Sequence, residues 1–200
     1  MAQVESFSVE SYLFTVLPFF MKRGSVIKVI AIAGSLRKVS TNKTLLKAAG
    51  LLAPEGMEIT LYDGIGQLPH FNPDLETPDS VKAFQNQIKT ADGLIISSPK
   101  YAHGVPGTLK NALDWLVGSS EMVDKPVALL SASTRSQIAQ ESLVEILKTM
   151  SAHVVSEASV DFDILGQNKT KTDIARDPVL SNRLKMGLGR FKEAIEAVKR

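Results

Sequence analysis

From residue 26 onward, short continuous apolar runs alternate with longer stretches in which apolar residues recur every three or four positions. The runs VIKVIAIAG (26–34), MEITLYD (57–63), GLIISSP (93–99), PVALLSAS (126–133) and HVVSEASV (153–160) are rich in β-branched residues and predict five strands. Most lack the apolar–polar alternation of a half-exposed strand, which suits a sheet covered on both faces. Between them lie five helical patterns: 41–52 with Leu45, Leu46, Ala49 and Leu52; a segment capped by Thr77 or Asp79 and carrying Val81, Phe84 and Ile88; 105–116; 138–150; and a long terminal stretch at 179–198. Parallel strands need helical crossovers, so this alternation predicts an α/β three-layer sandwich around a parallel sheet.

Residues 1–25 do not follow this rhythm. Their apolar patch, YLFTVLPFFM at 12–21, is interrupted by Pro18 and falls short of the roughly 20 residues needed to span a bilayer. Acidic Glu5 and Glu10 precede it and basic Lys22 and Arg23 follow, the reverse of an export signal. The segment reads as a poorly ordered extension, as a start upstream of a natural one near Met21, or as a strap over an apolar surface, and the domain is placed at 26–200. With neither anchor nor leader in this reading, the expected location is cytoplasmic, without a membrane partner.

Composition narrows the chemistry. Hydrophobic residues at 44% and charged residues at 22% are ordinary for a globular domain of 200 residues. The 23 basic and 21 acidic residues leave a net charge of only +2, with no basic stripe to suggest nucleic acid. The absence of cysteine excludes a disulfide scaffold, a thiolate metal site and a cysteine nucleophile. His70 and His103, without an acidic partner at ligand spacing, make a poor metal pair. Asp114 and Trp115 read as helix-packing residues, at a contact with another subunit or in the core, and the charged face of the terminal helix (Lys185, Arg190, Lys192, Glu193, Glu196, Lys199) as solvated.

Two loops carry the candidate chemistry. The first strand is followed by GSLRKVSTN (34–42), where Ser35, Ser40, Thr41, Asn42 and Arg37 could all donate to an anion at a helix start. A phosphate fits this loop; so does a plain serine-rich turn with Ser40 or Thr41 as a cap and Arg37 in solvent. The third strand is followed by SSPKYAHGVPGTLKNALDW (97–115), whose prolines and glycines force an exposed path and whose Gly104 would let the backbone approach a planar ligand. A βα connection with Pro106 in the first helical turn accounts for it equally well. In a 2-1-3-4-5 strand order the two loops lie side by side at the switch point, and a phosphate beside a flat heterocycle describes a mononucleotide such as FMN.

GSLRKVSTNKTLL resembles the GSLRxxSxNxxL phosphate loop of the NADPH-dependent FMN reductase family, and SPKYAHGVPGTLKNALDWL resembles that family's SPEYxxxxPGxLKNAxDW signature. The likeness runs over about residues 27–160 and implies a flavodoxin-like fold, a five-stranded sheet in order 2-1-3-4-5, FMN as cofactor, and NADPH or NADH as hydride donor to a quinone-like or other small acceptor. It places Ser35, Arg37, Ser40 and Asn42 on the FMN phosphate and Pro99, Tyr101, Ala102, His103 and Gly104 along the ring, with Thr41 and Lys100 as neighbouring cofactor-binding candidates. LPHFNPDLE (68–76) resembles the loop that in related dimers approaches the neighbouring subunit's flavin. Lys100 departs from the family's usual glutamate, and SASTRSQ (131–137) replaces a glycine-rich stretch, which makes Ser131, Ser133 and Arg135 further candidates. The flavin carries the chemistry, so no catalytic side chain is assigned. Apolar faces at Leu109, Leu113, Trp115, Leu116, Leu143 and Leu147 suggest a homodimer or a tetramer of dimers.

Overall fold

The computed structural model describes residues 26–135 and 137–199. The expectations for residues 1–25 fall outside them. The strands are β1 (Ile27–Ala33), β2 (Met57–Tyr62), β3 (Gly93–Ser97), β4 (Pro126–Ser131), β5 (His153–Val154) and β6 (Val160–Asp161). The helices are α1 (Thr41–Leu51), α2 (Asp79–Thr90), α3 (Gly107–Val117), α4 (Gln137–Thr149), α5 (Lys171–Arg176) and α6 (Pro178–Val198). The sheet is parallel, in the order β2-β1-β3-β4-β5, with β6 also paired to β4.

Side chains on successive strand positions enter opposite cores, as a pleated strand requires. Val29, Ala31, Ala33, Ile95, Ala128 and Leu130 pack with α1, α5 and α6 around Leu45, Ile174 and Phe191. Ile32, Leu94, Ile96, Val127 and Leu129 pack with α2, α3 and α4 around Phe84, Leu113 and Leu147. The apolar faces that suggested an oligomer are thereby consumed within one chain: Leu109, Leu113, Trp115, Leu116, Leu143 and Leu147 are all buried.

The edge strand differs from the single run expected at 153–160. A one-turn 3-10 helix at Ser156–Ala158 divides it, and the ladder is carried across the gap by a side chain: Ser159 Oγ accepts the Leu129 N–H at 3.1 Å and donates to the Val155 carbonyl at 3.0 Å. Helix α5 has no counterpart in the sequence reading. Its signal is TKTD at 170–173, a capping box in which Thr170 Oγ1 accepts from Asp173 N and the Asp173 carboxylate accepts from Thr170 N. The terminal helix is not wholly solvated: Lys192 Nζ donates to the Glu55 carbonyl and Lys199 pairs with Asp92 at 2.7 Å.

Candidate active site

Three loops meet at the carboxyl ends of β1, β3 and β4. The first begins at Gly34, whose N–H donates to the Ser97 carbonyl at 2.9 Å and keeps the loop against β3. A Cβ there would sit 2.7 Å from Ser98 Oγ and 3.2 Å from Leu109, so a side chain at this position would push them aside where the two loops meet. Ser35 and Ser40, both buried, use their oxygens locally: Ser35 Oγ accepts the Arg37 N–H at 3.3 Å, and Ser40 Oγ caps α1 by accepting the Lys43 N–H at 3.4 Å. A hydroxyl that accepts in this way still has its own proton to give. Buried Asn42 is held by its carbonyl oxygen, which accepts from Ser97 Oγ at 2.9 Å, so its amide NH2 remains a donor. Thr41 opens α1, whose first turn contains no acidic residue, and Lys43 is neutralised by Asp63 at 3.0 Å. The loop is a concentrated set of donors at the positive end of a helix, which is what an anion requires.

The second loop holds a tight reverse turn. Tyr101 and Gly104 form an antiparallel bridge, the Gly104 N–H donates to the Tyr101 carbonyl at 2.8 Å, and Ala102 and His103 between them have φ of 47° and 58°. Positive φ at both central residues defines a type I′ turn, a geometry that usually recruits Asn or Gly. The left-handed conformation is therefore borne by Ala102 and His103, and Gly104 follows them without it. A Cβ at Gly104 would make only an ordinary 3.6 Å contact with the Tyr101 carbonyl. Pro106 is the N-cap of α3, just before the helix instead of within its first turn.

The third loop follows β4. Buried Ser131 donates its hydroxyl to the Ser133 carbonyl at 2.6 Å, and Ser133 Oγ accepts the Arg135 N–H at 3.1 Å. The Ser133 carbonyl takes a second donor, Lys100 Nζ, at 3.0 Å, which ties the β3 loop to the β4 loop.

These loops enclose a pocket of about 310 Å³, within the size range of small-ligand sites. Ser35, Arg37, Ser40, Thr41 and Asn42 line it from one side, Pro99, Lys100, Tyr101 and His103 from the middle, and Ser131, Ser133 and Arg135 from the other. Ala102 and Gly104 do not line it. Ser98, Ala132 and Leu165 do, although the sequence did not mark them. Ser98 and Ala132 lie inside the quoted segments 97–115 and 131–137, whereas Leu165, beyond β6, comes near only through tertiary folding. No aspartate or glutamate is among the described lining residues. Asp114, which could pass for a catalytic acid, is instead paired with Lys110 one helical turn away, and Trp115 is a core residue whose Nε1 donates to the Pro69 carbonyl at 2.8 Å.

A parallel sheet whose order reverses between β1 and β3, with an anion-donor loop on one side of the reversal and an exposed turn on the other, defines a flavodoxin-like mononucleotide-binding protein. The sequence pattern of NADPH-dependent FMN reductases matches residues 27–164, and the chain belongs to that family. It is 33% identical over 187 aligned residues to a quinone reductase of Escherichia coli, covering 86% of this chain and 97% of that one. It is 37% identical over 156 to an NAD(P)H-dependent FMN reductase of Pseudomonas aeruginosa, covering 70% and 84%. Among solved structures, the flavoenzyme NAD(P)H:acceptor oxidoreductase FerB of Paracoccus denitrificans superposes with a TM-score of 0.71 at 27% identity, covering 86% of this chain and 98% of that one.

Proposed function

We propose that the protein uses NADPH or NADH to reduce a quinone-like or other small electron acceptor, with FMN held between the β1, β3 and β4 loops. The observation that carries this reading is the division of labour in one pocket: phosphate-grade donors on the β1 side, and the exposed 101–104 turn with Pro99 and Tyr101 beside them. The residues fit the group. Ser35 and Ser40 have protons to give, Asn42 presents its amide, Thr41 opens the helix, and the Arg37 guanidinium can fork onto a phosphate.

FMN, when bound, supplies the two-electron chemistry between a reduced nicotinamide and the acceptor. The chain supplies position and field. The β1 loop fixes the phosphate end. Pro99, Tyr101 and His103 wall the ring end, and exposed Tyr101 and Leu165 flank the entrance. Ala102 and Gly104 act through the turn that sets this wall. Sharing one open face between donor and acceptor in succession gives ping-pong kinetics.

An assembly of two or four copies belongs to the same reading. Its support is now Phe71, Leu75 and Val117, which remain exposed beside α3 and the 68–76 loop. No helix among the described residues is long and apolar enough to cross a membrane, and the cytoplasm, with its reduced nicotinamide, is the setting this reading assigns. The test is to add FMN to the purified protein and follow NADPH and NADH oxidation with and without a quinone. Turnover should require flavin, nicotinamide and acceptor together. A protein that binds FMN yet oxidises neither nicotinamide would be an electron carrier instead.

A further inference from the structure

The pocket holds more positive charge than one phosphate needs. Arg37 stands with the phosphate donors, but Lys100 and Arg135 line the pocket from the β3 and β4 loops, and no carboxylate balances them among the described lining residues. In this sheet β1 and β4 are two strand spacings apart, about 10 Å, so the β3 and β4 loops bring their cations to the pocket from a different side than the β1 donors.

Lys100 is held there by structure. Its Nζ donates to the Ser133 carbonyl at 3.0 Å, and the other lone pair of that carbonyl is taken by the Ser131 hydroxyl. A tethered ammonium loses less freedom on meeting a ligand than a loose one, and with one of its three N–H groups engaged it has others to offer. Ser133 also orders the start of the Arg135 residue through its Oγ, which accepts the Arg135 N–H at 3.1 Å.

We infer that Lys100, with Arg135, forms a second anion subsite over β4 that selects electron acceptors bearing a fixed negative charge, such as sulfonated, carboxylated or ring-ionised quinones. This rests on the flavin reading above and adds the substrate class. In the resembling family motif the position of Lys100 is a glutamate, which would oppose the same ligands, so the charge at this position is reversed here. The competing source of the same anionic chemistry is the extra phosphate that distinguishes NADPH from NADH.

The experiment uses the FMN-loaded full chain, a sulfonated naphthoquinone and its unsulfonated parent. Without nicotinamide, the dissociation constant of each quinone is measured, and the ratio between the two is compared across variants. Lys100→Met should shift the ratio against the sulfonated quinone about tenfold, the size of one lost charge-assisted hydrogen bond. Lys100→Glu should shift it further, and Lys100→Arg should restore it. With turnover, the kcat/KM ratio of the two acceptors should move in parallel. If Lys100→Met loses FMN, Arg135→Gln carries the same comparison.

An unchanged ratio in these variants overturns the subsite, as does a loss that appears in the KM for NADPH over NADH and not in the quinone ratio. A wild-type protein that takes up no FMN overturns the flavin reading and this subsite with it. One that binds FMN but does not distinguish the two quinones overturns the subsite alone.

Discussion

At the amino ends of the central strands, Asp92 accepts the Lys28 N–H at 2.7 Å and meets Lys199 at 2.7 Å, and Lys125 Nζ is spent on the Ala91 carbonyl. The turns there are stitched directly to their neighbours: Ile27 N–H to the Gly56 carbonyl, Asp92 N–H to that of Lys28, and His153 N–H to that of Lys125. At the carboxyl ends of the same strands, Arg37, Lys100 and Arg135 face a pocket with no described carboxylate, and the 102–103 backbone holds a left-handed turn without glycine. One end of the sheet pairs its charges off; the other gathers cations around a pocket. Polar groups committed to each other serve stability, whereas groups held but not fully spent serve a ligand.

The core beneath both ends sets the largest effect. Phe191, fully buried against β3 and the α1 side of the sheet, should cost about 3–5 kcal/mol of folding free energy when changed to alanine, read by denaturant titration. That loss should appear whether FMN is present or not. At the carboxyl end, Arg37→Ala should weaken FMN binding by about 1.5–3 kcal/mol and leave riboflavin, which lacks the phosphate, almost unaffected. Equal losses for the two ligands would give Arg37 a structural role. At the amino end, Asp92→Ala removes the acceptor for Lys28 N–H and the partner of Lys199, and should lower stability by about 1.5 kcal/mol with unchanged FMN affinity of the folded protein. A change in that affinity would erase the contrast between the ends.

Two smaller effects sharpen it. Ala102→Gly should raise apo-protein stability by up to about 1 kcal/mol, because glycine occupies a left-handed position without the Cβ penalty. A destabilised apo variant would mean that the turn is not strained. Burial pushes the Lys125 ammonium below its ordinary pKa of 10.5, with Asp92 and Glu121 opposing the shift. Between the lowered and the ordinary value the unfolded chain binds that proton more readily than the folded one, so stability should rise with pH across that alkaline interval. Lys125→Met should remove this contribution to the slope.

The architecture was legible because strands covered on both faces are nearly pure apolar runs, and helices with one buried face announce their period. What escaped were places where a side chain replaces a backbone function. Nothing in HVVSEASV distinguishes a strand from two strands joined through the Ser159 hydroxyl, since the partner, Leu129, is thirty residues away in sequence. The α5 capping box was readable in TKTD but not separable from a loop without the packing of Ile174 beneath it. In the pocket, the hydroxyl-rich loop stood out by composition, while Leu165 has no local signature. The reverse turn at 101–104 left no local signal, because its left-handed positions are held by alanine and histidine, where glycine or asparagine is usual.

The hydrogen bond from Ser97 to Asn42 defines a change that the fold should accept and the ligand should not. Ser97 grips the oxygen of the side-chain amide and leaves its nitrogen end available to donate. Asn42→Asp replaces that nitrogen by oxygen with almost no change of shape, and the new carboxylate can still accept from Ser97, so the packing around it should persist. The group offered to a phosphate would then be an anionic oxygen in place of a neutral donor. Such a molecule should melt like the parent while repelling a phosphate, an intact but inert copy told apart by its charge.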